Sequence, residues 1–150
     1  MPKANNVTAQ NVADFFLFKS DPEIGDIMSN LKLQKLVYYA QGFHLAMYDT
    51  PLFDEEIEAW EHGPVISELY HKYKTHGASG LPRPEKYPDV FSKKQEKLLD
   101  DIYEIIGQYS AWKLRNQTHS EPPWKKAKIL YGGVISQSDM KKYFKTRIRK

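Results

Sequence analysis

The sequence predicts a mostly α-helical fold, a single compact domain of six or seven helices with at most a small two-stranded β-ribbon. Its 150 residues are the usual size of one domain, and 41% of them are hydrophobic, which is enough to form a core. Apolar residues recur at helical spacing in several segments, with good capping residues where those segments begin. We expect one domain over residues 1–150, with flexible ends at 1–7 and 146–150.

The first two helices are predicted on either side of a polar turn. Thr8 is a suitable N-cap for a helix that runs to about Lys19. Asn30 is a suitable N-cap for a second helix, about Leu31–Tyr48, which is apolar nearly all round and is therefore expected at the centre of the domain. Gly42 within it costs about 1 kcal/mol relative to alanine, so we expect another backbone to pack there. The residues expected to point inward are Leu33, Leu36, Val37, Ala40, His44 and Met47.

The middle of the chain is predicted to hold an extended segment, a helix and a long loop. Ile57–Trp60 is compatible with a short strand or an extended link, and Val134–Ile135 is a candidate to pair with it. Pro64 suits the first turn of a helix that runs to about Lys74. Gly77–Asp89 contains two glycines and three prolines and is predicted to be a loop, of a length that is often functional or mobile.

Two helices are predicted after this loop. Ser92 and Gln95 form a capping-box pattern. The apolar face of the helix behind it is predicted to consist of Leu98, Leu99, Ile102, Ile105, Ile106 and Tyr109. Ser110 is a candidate cap for a short helix that reaches Arg115 or beyond.

The last two helices are also marked by their first residues. Two prolines after Ser120 suit the opening of a helix that ends near Leu130. Ser136 with Asp139 is predicted to cap a final helix. Its inward residues are expected to be Met140, Tyr143, Phe144 and Ile148.

Composition excludes several classes of protein. The chain has no cysteine, so disulfides, thiol catalysis and zinc sites built on cysteine are excluded. The first six residues hold no apolar region of a signal peptide, and no apolar run approaches 18 residues. We therefore expect a cytoplasmic protein without a membrane-spanning segment.

The net charge of +3 is unevenly distributed. Residues 141–150 hold six basic groups and no acidic one, which leaves a net charge of −3 on the first 140 residues. A nucleic-acid-binding domain usually carries its basic stripe on the folded body, so this distribution argues against nucleic acid as the main partner. A nucleic-acid-binding regulator that works through the basic C-terminal helix stays as an alternative.

The histidines raise the question of catalysis and of metal binding. His62 follows Glu61, and His119 lies two residues before Glu121, so a fold that joins them creates a general acid/base pair. A hydrolase-type enzyme that uses His62 and His119 is therefore an alternative, against the commoner role of histidines that hold turns. No nucleophile, P-loop or dinucleotide motif accompanies them. We expect no catalytic residue, no metal site and no cofactor.

Lys35 lies on the apolar second helix, one turn beyond Leu31. Its ammonium group either extends to the surface, which is the commoner outcome, or pairs with a buried acid near Trp60. The sequence favours neither alternative.

Six segments together resemble one known family, the SocA-like antitoxins, also called the Panacea domain and formerly a domain of unknown function. The segment at residues 30–42, NLKLQKLVYYAQG, carries the resemblance most clearly. The resemblance covers about residues 8–145. The other five segments, in chain order, are 12–16 (VADFF), 51–55 (PLFDE), 58–65 (EAWEHGPV), 118–124 (THSEPPW) and 140–144 (MKKYF).

The resemblance implies a mostly helical, phage-associated domain that also occurs in bacterial chromosomes. Members are regarded as antitoxins that neutralise a toxin encoded beside them, so it implies a protein toxin as the partner and direct protein binding as the means. At least one member acts as an adaptor that delivers its toxin to a ClpXP-type protease. Because the family's toxins are diverse, the target, the oligomeric state and the choice between occlusion and protease delivery stay open.

The motifs of the resemblance define a candidate binding centre. It consists of Trp60, His62, Pro64, His119 and Trp124, with Lys35 and Tyr39 beside them. The centre either contacts the toxin or only holds the fold. The loop Gly77–Asp89 and the exposed last helix are the other candidates for partner contact.

Overall fold

The computed structural model describes residues 6–20, 27–76, 80–128 and 133–148. These ranges contain seven α-helices and one two-stranded antiparallel sheet, so the predicted mostly α fold is confirmed. The helices are α1 (Ala9–Lys19), α2 (Asn30–Tyr48), α3 (Ser67–Tyr73), α4 (Lys93–Ile105), α5 (Ala111–His119), α6 (Pro122–Lys128) and α7 (Gln137–Lys145). The strands are β1 (Glu58–Trp60) and β2 (Gly63–Val65), and a 3₁₀ turn follows α3 at Lys74–His76.

Helix α2 is the centre of the domain, as predicted. Fourteen of its 19 residues are buried, and α1, α4, α5 and α7 pack around it. Its N-cap is Ser29 rather than Asn30, because the Ser29 hydroxyl accepts a hydrogen bond from the Lys32 amide at 3.2 Å. The Asn30 side chain instead donates to the Tyr70 carbonyl. Met47 was predicted to point inward and is 47% exposed.

Gly42 receives a ring rather than a backbone, so that prediction was wrong. A Cβ at this position would overlap the ring of Phe144. Phe144 is fully buried on α7, and this close approach docks α7 against α2. The last helix is therefore exposed only on its outer face, since Met140 and Phe144 are both buried.

Pro64 lies in strand β2, opposite Ala59, and not in the first turn of a helix. Helix α3 begins three residues later, at Ser67. Proline has no amide hydrogen, but its fixed φ fits a short edge strand as well as a helix start, so local sequence alone does not separate the two. The predicted pairing of Val134–Ile135 with Ile57 is confirmed, because the Ile135 amide donates to the Ile57 carbonyl at 2.8 Å.

The described part of the predicted loop, residues 80–89, has no helix or strand and contacts the body through Leu81, Arg83 and Tyr87. Leu81 is buried, and its amide donates to the Met28 carbonyl at 2.8 Å. Arg83 donates to the Phe18 carbonyl at 2.8 Å and lies over the Phe18 ring. Residues 77–79 lie outside the described ranges.

For the later helices, the predicted N-caps agree with the structure better than the predicted buried faces do. Ser92, Ser110 and Ser136 each cap a helix as expected. Ile105 was predicted to be inward and is 60% exposed, since it ends α4 on the side turned to solvent. The predicted end of α6 near Leu130 lies outside the described residues, and the predicted flexibility of 1–7 and 146–150 stays a prediction.

Candidate functional site

A short β-hairpin forms the front of the site, and α6 holds it in place. Strands β1 and β2 are joined by a turn at Glu61 and His62. The indole N–H of Trp124 donates to the Trp60 carbonyl at 2.8 Å. The ring of His119 stacks on Trp124 with centroids 4.1 Å apart and planes 19° apart. The sequence segment 118–124 therefore holds Trp60, the last residue of β1, in place.

Lys35 supports the hairpin from α2. Its side chain is fully buried, and its Nζ donates to the Pro64 carbonyl at 3.2 Å. Both sequence alternatives were wrong, because the ammonium group does not reach the surface and its partner is a carbonyl rather than an acid. Burial, and then the nearby charge of Arg115, lower the pKa of Lys35 to about 7.

Gly63 makes this close approach possible. Its φ of +113° lies in the region that side chains rarely adopt. A Cβ there would lie 2.5 Å from Cε of Lys35 and 2.9 Å from Oγ1 of Thr118. The hairpin can therefore sit on Lys35 and on α5 only with glycine at this position.

Replacing Lys35 with methionine is expected to raise the free energy of unfolding by about 2 kcal/mol at pH 6, and this gain over wild type should shrink steadily as the pH rises above 7. Because the folded pKa is lowered to about 7, the unfolded chain holds a proton that the folded protein lacks between pH 7 and 10.5. Wild-type stability should therefore rise above pH 7, by at most about 1.4 kcal/mol per pH unit from this group. Urea denaturation across this pH range measures both slopes. Equal slopes in wild type and Lys35→Met would contradict the assignment.

The structure brings His62 and His119 near the same arginine but does not join them. Arg115 donates from Nε to Nδ1 of His62 at 3.2 Å. Burial and the charge of Arg115 lower the pKa of His119, whose Nε2 is buried without a hydrogen-bond partner among the described residues. The carboxylate of Glu121 accepts hydrogen bonds from the hydroxyls of Tyr38 and Tyr39, and so does not serve as an acid beside His119. Within the described ranges, the two imidazoles share no hydrogen bond of the kind that the acid/base hypothesis needs.

Two functional candidates on α5 were missed from the sequence. Trp112 is 58% exposed, and the guanidinium of Arg115 lies 4.5 Å from the centroid of its ring. Trp112, Arg115 and His119 are spaced at i, i+3 and i+7, which places them on one face of a helix. That spacing was the available signal.

These elements surround a cavity of about 470 Å³, here called the hairpin cavity. Three large aromatic side chains and two amide side chains line it, together with the buried Lys35. The ring of Trp60 meets that of Tyr70 edge-on with centroids 4.9 Å apart. The lining residues are Asn30, Leu31, Gln34, Lys35, Trp60, Glu61, His62, Val65, Tyr70, Lys74 and Trp112.

Tyr39 belongs to a neighbouring buried cluster rather than to the hairpin cavity. Its hydroxyl donates to Glu121 at 2.7 Å, and the hydroxyl of Tyr38 donates to the other carboxylate oxygen at 3.2 Å. Arg147 reaches the same carboxylate at 3.5 Å. Burial raises the pKa of Glu121 although all of these partners oppose the shift. The cluster joins α6 to α2 and to the end of α7.

The candidate centre is therefore divided between two places. Lys35, Trp60, His62 and Pro64 meet at the hairpin, with Trp124 and His119 behind it, whereas Tyr39 lies with Glu121. In the described part of the chain, no group of three or more His, Asp or Glu side chains could hold a metal ion. None of the described helices is both long and apolar enough to cross a membrane.

Comparison with known proteins agrees with the resemblance seen in the sequence. The family model described as "Antitoxin SocA-like, Panacea domain" matches residues 33–125, a range that includes the hairpin, α5 and most of α2. Antitoxin SocA of Caulobacter vibrioides (strain NA1000 / CB15N) is 38% identical over 131 aligned residues, and the match covers 79% of this chain and 69% of that protein. No solved structure shows a match. The chain thus belongs to the SocA-like antitoxin family.

Proposed function

We propose that this protein is an antitoxin that neutralises a protein toxin by binding it directly, through the surface around the hairpin cavity. Family membership supports the antitoxin role. The observation that carries the choice of surface is the exposed Trp112 stacked with Arg115 at the rim of a concave site. Tryptophan and arginine are the residues most enriched where protein interfaces gain their binding energy.

The rigidity of this surface also supports the proposal. Trp124, Lys35 and Gly63 together hold the hairpin in one position. The Gln34 side chain accepts a hydrogen bond from the Ile66 amide at 2.9 Å and so fixes the end of β2. A surface that is already ordered loses little conformational entropy when a partner binds.

The same surface serves either route of neutralisation. Direct occlusion needs only the complex with the toxin, whereas an adaptor must also engage a ClpXP-type protease. The half-life of the toxin in cells separates the two routes: an adaptor shortens it only when the protease is present, and occlusion leaves it unchanged.

The charges of the C-terminal region fit a protein partner better than nucleic acid. Lys141 and Lys145 pair with Asp49 at 2.9 and 3.3 Å, and Arg147 pairs with Glu121. These basic groups are already partly neutralised within the fold, which lowers the number of phosphates they could neutralise.

Co-expression with the product of the neighbouring gene tests the antitoxin role. That product should arrest growth alone and become harmless when this protein is present. The role fails if the product is harmless alone, or if it stays toxic with this protein at equal or higher abundance.

Replacing Trp112 or Arg115 with alanine is expected to weaken toxin binding by about 30-fold or more, since an interface residue of this kind contributes about 2 kcal/mol. Both side chains are at the surface of α5, so the fold should be retained. Titration calorimetry with the purified toxin measures the effect. Ile105→Ala is the matched control, because Ile105 is equally exposed but lies on α4. If Ile105→Ala weakens binding and Trp112→Ala does not, the contact surface lies elsewhere.

A further inference from the structure

We propose that the hairpin cavity is a carboxylate-binding site, filled in the complex by an acidic group of the toxin. The source of the carboxylate rests on the proposed function. The affinity of the cavity for carboxylates does not, and it can be measured without the toxin.

The charges around the cavity favour an anion. Lys35 and Lys74 line it, and Arg115 contacts two further lining residues, His62 and Trp112. Glu61 is the acidic residue of the lining, and it is exposed in the hairpin turn. The cations therefore outnumber the acid at the site, and the fully buried Lys35 has no acidic partner among the described residues.

Lys35 has donor capacity left for a ligand. A protonated ammonium group has three hydrogens, and the Pro64 carbonyl accepts one of them. Lys35 is also fully buried and lines the cavity. A buried charge without a full set of partners is costly, and a carboxylate in the cavity would remove much of that cost.

The walls indicate what should carry the carboxylate. Trp60, Tyr70 and Trp112 present aromatic surface to a volume of about 470 Å³, which is room for one large side chain. Apolar walls lower the local dielectric and so strengthen attraction between charges. The preferred ligand is therefore a carboxylate on an apolar or aromatic frame.

Occupation of the site should be linked to the proton on Lys35. With its pKa near 7, part of the free protein carries a neutral amine at neutral pH, and an incoming carboxylate favours the charged form. Affinity should therefore fall as the pH rises from 6 to 9. The other charged and titratable groups that face Lys35 across the site are Arg115, His119, His62, Glu61 and Lys74.

Benzoate and benzamide, which have the same shape and differ in charge, are suitable probes. We expect benzoate to bind the full chain at pH 6 with a dissociation constant on the order of millimolar, and benzamide at least 10-fold more weakly. The indole N–H signals in ¹H–¹⁵N spectra report binding, and those of Trp60 and Trp112 should shift more than that of Trp124. Benzoate binding by the unmodified protein should weaken at least 10-fold at pH 9. This comparison tests the role of the charge without any substitution.

Variants locate the effect. Lys35→Met should weaken benzoate binding at least 10-fold, whereas Lys97→Met, which removes an exposed lysine of α4, should leave it unchanged. Equal binding of benzoate and benzamide, or undiminished benzoate binding in Lys35→Met, would overturn the proposal.

A toxin measurement separates this proposal from the antitoxin role. Lys35→Met should weaken toxin binding at least 10-fold at pH 6 and less at pH 9. Full toxin binding by Lys35→Met overturns the claim that an acidic group of the toxin fills the cavity, and it leaves the antitoxin role intact. If wild-type protein does not bind the toxin, the antitoxin role fails, and the benzoate arms still decide whether the cavity takes carboxylates.

Discussion

Replacing Gly42 with alanine is expected to lower the free energy of unfolding by about 3 kcal/mol. The new methyl group would overlap the ring of Phe144. That ring cannot shift cheaply, because it packs between Tyr38, Tyr39 and Phe43 with centroids 5.5, 5.7 and 4.8 Å away. Relief therefore requires α7 to move off α2. Guanidinium denaturation measures the loss.

A double mutant isolates the cause of this loss. In an ordinary helix, alanine is favoured over glycine by about 1 kcal/mol, so the loss must come from the clash. Phe144→Ala alone should cost about 3–5 kcal/mol by leaving a cavity. In that background Gly42→Ala should become neutral or stabilising, since the ring is gone. Simple additivity of the two single effects would show that the contact is not the cause.

The helix starts at Thr8, Ser92, Ser110 and Ser136 were predictable because each depends on residues that are close in sequence. Thr8 and Ser92 each accept a hydrogen bond from an amide three residues on, and the side chain at that position returns one to the cap. Ser110 and Ser136 cap in the same local way. No distant contact is needed for such a signal, so composition and spacing were enough.

The hairpin was missed because distant contacts determine it. The Lys35 ammonium group donates a hydrogen bond to the carbonyl of Pro64, and the Gln34 side chain accepts one from the amide of Ile66. These two bonds hold strand β2 in place. Both partners lie about 30 residues away on α2, so no local pattern around Pro64 records them. The positive φ of Gly63 is likewise a consequence of packing against Lys35 and Thr118.

The composition of the candidate site was only partly visible in the sequence for a related reason. Family motifs supplied Trp60, His119 and Trp124, which the structure joins, and also Tyr39, which it places with Glu121. The exposed pair Trp112 and Arg115 lies outside those motifs. Lys35 was recognised as unusual, but its partner is a backbone carbonyl, and a carbonyl leaves no trace in the identity of a side chain.

Replacing Glu121 with alanine is expected to lower the free energy of unfolding by about 3 kcal/mol. The hydroxyls of Tyr38 and Tyr39 are buried and donate to this carboxylate, so its removal leaves two donors without an acceptor, at about 1–3 kcal/mol each. Arg147 also loses its ion pair. Relief from burying the carboxylate offsets part of this cost. The loss can be measured by urea denaturation, with the exposed Glu104→Ala as the matched control, which should stay within about 0.5 kcal/mol of wild type.

Glu121→Gln gives the sharper test, because it keeps the shape and removes the charge. It should cost only about 1 kcal/mol, since its carbonyl still accepts one tyrosine hydrogen and its amide can donate to the other hydroxyl. Burial raises the pKa of Glu121 above its usual 4.5, so the folded protein binds this proton more readily than the unfolded chain. Wild-type protein should therefore gain stability relative to Glu121→Gln as the pH falls from 7 toward 4.5. If wild-type protein instead loses stability relative to Glu121→Gln as the pH falls, the prediction is wrong. The tyrosines and Arg147 would then stabilise the charged carboxylate more strongly than burial destabilises it.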